Sequence, residues 1–156
     1  PILVLRDYHA ENLLWLPDRR GAARVGLLDI QDALLGHPAY DMVSLLEDAR
    51  RDTDPALQRA MKQRYIAGTA FDPADFHYAY CAIGAQRNLK IIGIFSRLYL
   101  REGKAGYLDL IPRVWGHLQR DLAHPRLKEL RRWVDRNVPE PTKETLNTIR
   151  GYADAS

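Results

Sequence analysis

The chain has 156 residues, 46% of them hydrophobic and 28% charged, which describes a folded domain with a real core and excludes a disordered or fibrous protein. Its 23 Lys and Arg against 20 Asp and Glu give a formal charge of only +3, spread among neighbours of opposite sign, so composition makes no case for a nucleic-acid partner. Cys81 is the single cysteine, which rules out an intrachain disulfide, and the longest apolar run, Ile91 to Phe95, is far too short to span a bilayer. No signal peptide is visible, so a reducing cytoplasm is the expected setting. A start at Pro1 without Met points to a piece of a longer chain.

The first thirty or so residues read as β structure. Ile2 to Leu5 is a short apolar strand and Leu13 to Leu16 a second, while Pro17-Asp18-Arg19-Arg20-Gly21 signals a turn into a third over Arg24 to Ile30. The second and third strands should form a hairpin. After Pro38 the period becomes helical. Tyr40, Val43, Leu45 and Leu46 mark a helix to about Arg51, and a second covers Pro55 to Ala67 and ends at Gly68. Pro73-Ala74-Asp75 opens a long helix to about Arg101, closed by Gly103. Further helices are expected at Gly106 to Leu122, Pro125 to Asn137 and Lys143 to Tyr152. The expected fold class is α+β, mostly helical, with an N-terminal β-hairpin and one lobe over 1–156.

The chemistry gathers near the start. Leu5-Arg6-Asp7-Tyr8-His9-Ala10-Glu11-Asn12 is followed, after the hairpin, by Leu28-Asp29-Ile30-Gln31-Asp32. Phosphoryl transfer needs an oriented acceptor hydroxyl and a metal in oxygen ligands to neutralise the phosphates. Asp7 is placed to act as catalytic base, with Asn12 and Asp29 as Mg²⁺ ligands, in the order and spacing of a kinase site. Any one of these residues alone could be a loop cap; the three together, with strand-turn-strand between the last two, are far more specific. Five histidines with no ligand spacing make a zinc site improbable.

This segment resembles the C-terminal lobe of the aminoglycoside phosphotransferase and choline kinase-like family, relatives of the protein kinases. Gly36-His37-Pro38-Ala39-Tyr40-Asp41 resembles the family's Gly-Asp-Pro-x-Tyr-Asp segment, whose last Asp, here Asp41, braces the catalytic loop. Together with Gln86-Arg87-Asn88-Leu89-Lys90, these motifs are most similar to bacterial cell-wall amino-sugar kinases, which phosphorylate the anomeric hydroxyl of N-acetylmuramate or N-acetylglucosamine. The resemblance implies ATP as phosphoryl donor, Mg²⁺ as cofactor and a small sugar as acceptor. It also implies an N-terminal lobe, absent from this sequence, that carries the glycine-rich loop and a phosphate-binding Lys. The isolated chain is therefore expected to be inactive. Leu5 and Ile30 depart from the family's His and aromatic residue, a change that keeps an apolar contact. Between Asp29 and Asp41 there is no room for a protein-kinase activation loop.

The acceptor should lie against the helical part. Arg87 and Asn88 interrupt an apolar stretch of the long helix, where polar groups need partners, and are candidates for sugar binding or for pairing within the protein. Asp32, just past Asp29, could line the same cleft or cap the following segment. The basic Arg87 and Lys90 favour a neutral or acidic sugar over a polycationic aminoglycoside, which remains the nearest alternative. A catalytically silent binding module with this fold is the alternative outside enzymes.

Overall fold

The computed structural model describes residues 1–154. It is mostly helical, with two small antiparallel sheets, as the α+β reading requires. The described residues form two compact units, one spanning Pro1–Phe76 and the other beginning at His77.

In the first unit, β1 (Ile2–Val4) pairs antiparallel with β4 (Leu34–Gly36), Ile2 facing Gly36 and Val4 facing Leu34. The hairpin joins β2 (Leu13–Trp15) to β3 (Val25–Leu27), with Leu13 opposite Leu27 and Trp15 opposite Val25. Beyond the ladder, the Leu16 amide donates to the Arg24 carbonyl at 2.8 Å, and the Arg24 guanidinium lies 4.2 Å from the Trp15 ring centre. Such a contact supports a hairpin by about 0.5–1 kcal/mol at an exposed site.

The third strand is shorter than its sequence suggests at both ends: Gly21–Arg24 form a 3₁₀ turn before Val25, and Asp29 at φ +58° leaves the extended conformation beyond Leu27. The strand β4 was not expected at all. Gly36 is required there by space: a Cβ on it would stand 2.7 Å from Val4 Cγ2.

Helix α1 (Ala39–Leu46) also ends earlier than its periodicity implies. Asp48 diverts the chain, its Oδ1 accepting the Arg50 amide at 3.0 Å in an Asx turn, with the Arg51 amide donating to the Asp48 carbonyl at 3.3 Å. Helix α2 (Pro55–Ala67) starts where Asp54 Oδ1 accepts the Ala56 and Leu57 amides at 2.8 and 3.1 Å, with Pro55 in the first turn. Asp72 does the same for α3 (Pro73–Glu102), accepting the Ala74 and Asp75 amides at 2.9 Å. Val4, Ala39, Val43 and Leu46 are buried at the heart of this unit.

The second unit contains most of α3, then α4 (Gly106–Leu122), α5 (Lys128–Asn137) and α6 (Lys143–Asp154). Residues Pro125–Leu127, expected to begin a helix, form a separate 3₁₀ turn capped by His124 Nδ1. Leu108, Ile111, Val114, Leu118 and Leu122 make one apolar stripe on α4, all buried.

Candidate active site

The loop between β1 and β2 holds Asp7 in a fixed backbone path. Arg6 has φ +69°, and the Asp7 amide donates to the Leu5 carbonyl at 2.9 Å, which is a tight γ-turn in the left-handed region. A non-glycine residue there costs about 1–3 kcal/mol. Asp41, in the first turn of α1, offsets that cost. Its Oδ2 accepts the Leu5 amide at 2.7 Å and its Oδ1 the Arg6 amide at 2.9 Å. Charge-assisted bonds of this kind contribute about 1.5–3 kcal/mol each, enough to outweigh the strain. Ser44, one turn further along α1, donates its hydroxyl to the Arg6 carbonyl at 3.1 Å. Every polar backbone atom of the turn residue is thus fixed from α1.

Downstream of the turn, the Asp7 carbonyl accepts both the His9 amide at 3.0 Å and the Asn12 side-chain Nδ2 at 2.9 Å. The second bond orients Asn12. With Nδ2 committed as donor, Oδ1 is left as the acceptor end of the amide. Residues Ala10–Asn12 form a 3₁₀ turn that leads directly into β2. The Leu28 amide then donates to the Asn12 carbonyl at 2.9 Å, so the hairpin returns the chain to Asn12 one residue before Asp29. Asp29 has φ +58°, a left-handed conformation that Asp tolerates better than most residues. Its Oδ1 accepts Gln31 Nε2 at 3.0 Å.

Asp7 and Asp29 are exposed and Asn12 is partly so. Among the described residues, the Asp7 carboxylate takes no hydrogen bond or ion pair, leaving both oxygens for a hydroxyl. Tyr8, which follows it, has its phenol pKa raised by burial and by the Asp41 charge, so it stays protonated. Glu11 in the 3₁₀ turn pairs with Arg50 at 3.2 Å. Among the described residues no group of three or more His, Cys, Asp or Glu side chains forms a metal cage. Asn12 Oδ1 and the Asp29 carboxylate are oxygen donors of the kind a hard cation such as Mg²⁺ takes.

Asp41 therefore sits where a brace is needed, in the same unit as Asp7, Asn12 and Asp29. Asp32 is exposed in the turn beyond Asp29. Arg87 and Asn88 lie in the second unit. Arg87 is half-buried. Asn88 is fully enclosed, its Nδ2 donating to Asp121 Oδ2 at 3.0 Å. Ser44 and Arg50 were not singled out from sequence. A polar residue on the buried face of α1, one turn after Asp41, was the available signal for Ser44; nothing local marks Arg50.

Residues 1–77 match the phosphotransferase enzyme family. Over 139 residues, 88% of its length, the chain is 52% identical to the N-acetylmuramate/N-acetylglucosamine kinase of Caulobacter vibrioides. It is 38% identical over 137 residues, 83% of its length, to the protein of the same name from Pseudomonas aeruginosa. For the Neisseria meningitidis serogroup B protein of that name the identity is 41% over 128 residues, 76% of this chain. The matched parts are 38%, 39% and 36% of those relatives, so the chain spans under two fifths of their length. The resemblance read from residues 7 to 41 is thus shown: the phosphotransferase enzyme family match covers Asp7, Asn12, Asp29 and Asp41 together.

Proposed function

We propose that this chain is the catalytic and acceptor-binding part of an ATP- and Mg²⁺-dependent sugar kinase acting on the anomeric hydroxyl of N-acetylmuramate or N-acetylglucosamine. The observation that carries the reading is the loop itself: a strained turn held by Asp41, presenting a free Asp7 carboxylate and an oriented Asn12 amide. The names of the relatives support the choice of sugar.

In this reading Asp7 accepts the proton of the acceptor hydroxyl as its oxygen attacks the γ-phosphorus of ATP. The bond from γ-phosphorus to the bridging oxygen breaks, and ADP leaves with the electron pair. Asn12 and Asp29 are the residues that would hold Mg²⁺, which when bound would supply charge to neutralise the phosphate oxygens. Asp41 keeps the loop in place and takes no part in the chemistry. Asp32 contacts the acceptor beside Asp29; Arg87 is a candidate sugar ligand on α3, a stretch that Asn88, engaged with Asp121, supports from inside.

The glycine-rich cover for the phosphates and its Lys belong, in this account, to an N-terminal lobe outside residues 1–156. The small share of each relative that the chain spans supports this. So do the large apolar side chains the first unit exposes, Leu3 at 62%, Trp15 at 62% and Leu35 at 71% among them. The isolated chain is accordingly inactive. No described helix is long and apolar enough to cross a membrane, and a cytoplasmic setting is part of the proposal.

The test is ATP-dependent phosphorylation by the full-length parent, with N-acetylmuramate, N-acetylglucosamine and an aminoglycoside as acceptors. Phosphate on the anomeric oxygen of either amino sugar is the expected result. Phosphorylation of the aminoglycoside alone, or of nothing, would overturn it.

A further inference from the structure

The loop carrying Asp7 is held on one side by Asp41 and Ser44, at Leu5 and Arg6. Its far side, residues Ala10–Asn12, is held differently. Arg50 Nε lies 3.2 Å from Glu11 Oε2, joining the turn beside Asn12 to the segment after α1. We propose that Arg50 is a positioning residue that clamps the distal half of the catalytic loop and so sets the placement of Asn12. This rests on the kinase reading for its effect on catalysis, though not for its effect on the loop.

An exposed ion pair on a flexible arginine would hold little. Arg50 is not free in that way. Asp48, whose side chain is 2% exposed, accepts the Arg50 backbone amide at 3.0 Å and stands 3.9 Å from its Nη1. A carboxylate that buried is stabilised by a nearby cation, and among the described residues Asp48 forms its ion pair with Arg50. The same carboxylate fixes the Arg50 backbone by a hydrogen bond and draws its head group by charge alone, at 3.9 Å, with Nε 3.2 Å from Glu11. The Arg50 side chain is 35% exposed and that of Glu11 51%.

Glu11 is adjacent to Asn12, and the two share one 3₁₀ turn. A displacement of Glu11 moves the Asn12 backbone, and with it the bond from Asn12 Nδ2 to the Asp7 carbonyl. The loop is thus pinned at both ends by one continuous stretch, residues 41 to 50, with Asp7 between the pins.

The experiment compares Arg50→Ala, Arg50→Lys and Glu11→Gln in the full-length parent. It reads kcat, sugar KM, the Mg²⁺ concentration for half activity, and amide exchange over residues 8–12. For Arg50→Ala the expected result is a fall in kcat of about tenfold or more, a raised Mg²⁺ requirement, a sugar KM within about threefold, and faster amide exchange. Arg50→Lys should recover part of each change, and Glu11→Gln, which leaves the Arg50–Asp48 contact in place, should speed amide exchange over residues 8–12 in the same direction as Arg50→Ala. Unchanged exchange over residues 8–12 in Arg50→Ala would overturn the clamp. So would a loss confined to KM for N-acetylmuramate, which would make Arg50 a ligand for its carboxylate. If the unaltered parent phosphorylates no sugar, the kinase reading fails, while faster exchange in Arg50→Ala still upholds the clamp.

Discussion

Asp41 Oδ1 accepts the amide of Arg6 at 2.9 Å while Arg6 sits at φ +69°, so a carboxylate from α1 stabilises a strained turn one residue before the proposed base. The strain and the brace are two parts of one device. The turn aims Asp7 away from the strand direction of β1, and Asp41 keeps that path occupied.

Replacing Asp41 by Ala removes the acceptor of two backbone amides and should cost about 2–4 kcal/mol of stability, given partial exposure of the site. Urea unfolding of the full-length parent measures it. Catalysis should fall further than stability does, because the residual folded fraction carries a relaxed loop. A variant with unchanged stability would show that the brace is not holding the turn.

Two glycines on α3 should respond in opposite directions. A Cβ on Gly84 would meet all three atoms of the buried Asp121 carboxyl group, the same group that accepts from Asn88. Gly84→Ala is expected to destabilise by about 1–3 kcal/mol through overpacking. Gly93 is exposed, with nothing within 4 Å of the added Cβ, so Gly93→Ala should stabilise by about 0.5–1 kcal/mol through helix propensity. Thermal unfolding of the pair decides it; equal shifts of the same sign would contradict the packing described for Gly84.

His37 links pH to the start of α1. Its Nδ1 accepts the Ala39 amide at 3.1 Å, and its pKa is lowered by burial. The unfolded state therefore binds the proton more tightly, and stability is lost as pH falls from about 6.5 through the lowered value. Protonation also removes the acceptor of the Ala39 amide. An NMR titration should place the His37 midpoint below 6.5, with faster exchange of the first amides of α1 on the acid side. A midpoint above 6.5 would contradict this.

Much of the fold was legible because its punctuation is local. Pro55, Pro73-Ala74-Asp75 and Gly103 each announce a helix boundary through chemistry contained within a few residues, and those boundaries agree with the structure. The hairpin was legible for the same reason. Strand β4 was not, since three residues ending in glycine acquire strand character only by pairing with β1. The end of α1 was missed because Asp48 competes for the backbone with its side chain, in a polar run whose residues carry no breaker such as Gly or Pro. In the site, Asp7, Asn12, Asp29 and Asp41 could be named from spacing. Ser44 and Arg50 could not, because their roles depend on contacts to residues 6 and 11 that no short pattern encodes.

The central claim is that Asp7 acts on the acceptor hydroxyl. Asp7→Asn keeps the shape of the side chain and removes its basicity, and the bonds to the Asp7 backbone should persist. Single-turnover phosphorylation of N-acetylmuramate by the full-length parent should slow by about 10²–10⁴-fold, with sugar affinity nearly unchanged. A rate within about threefold of the unaltered enzyme would contradict the account, since a base worth its usual contribution cannot be removed so cheaply.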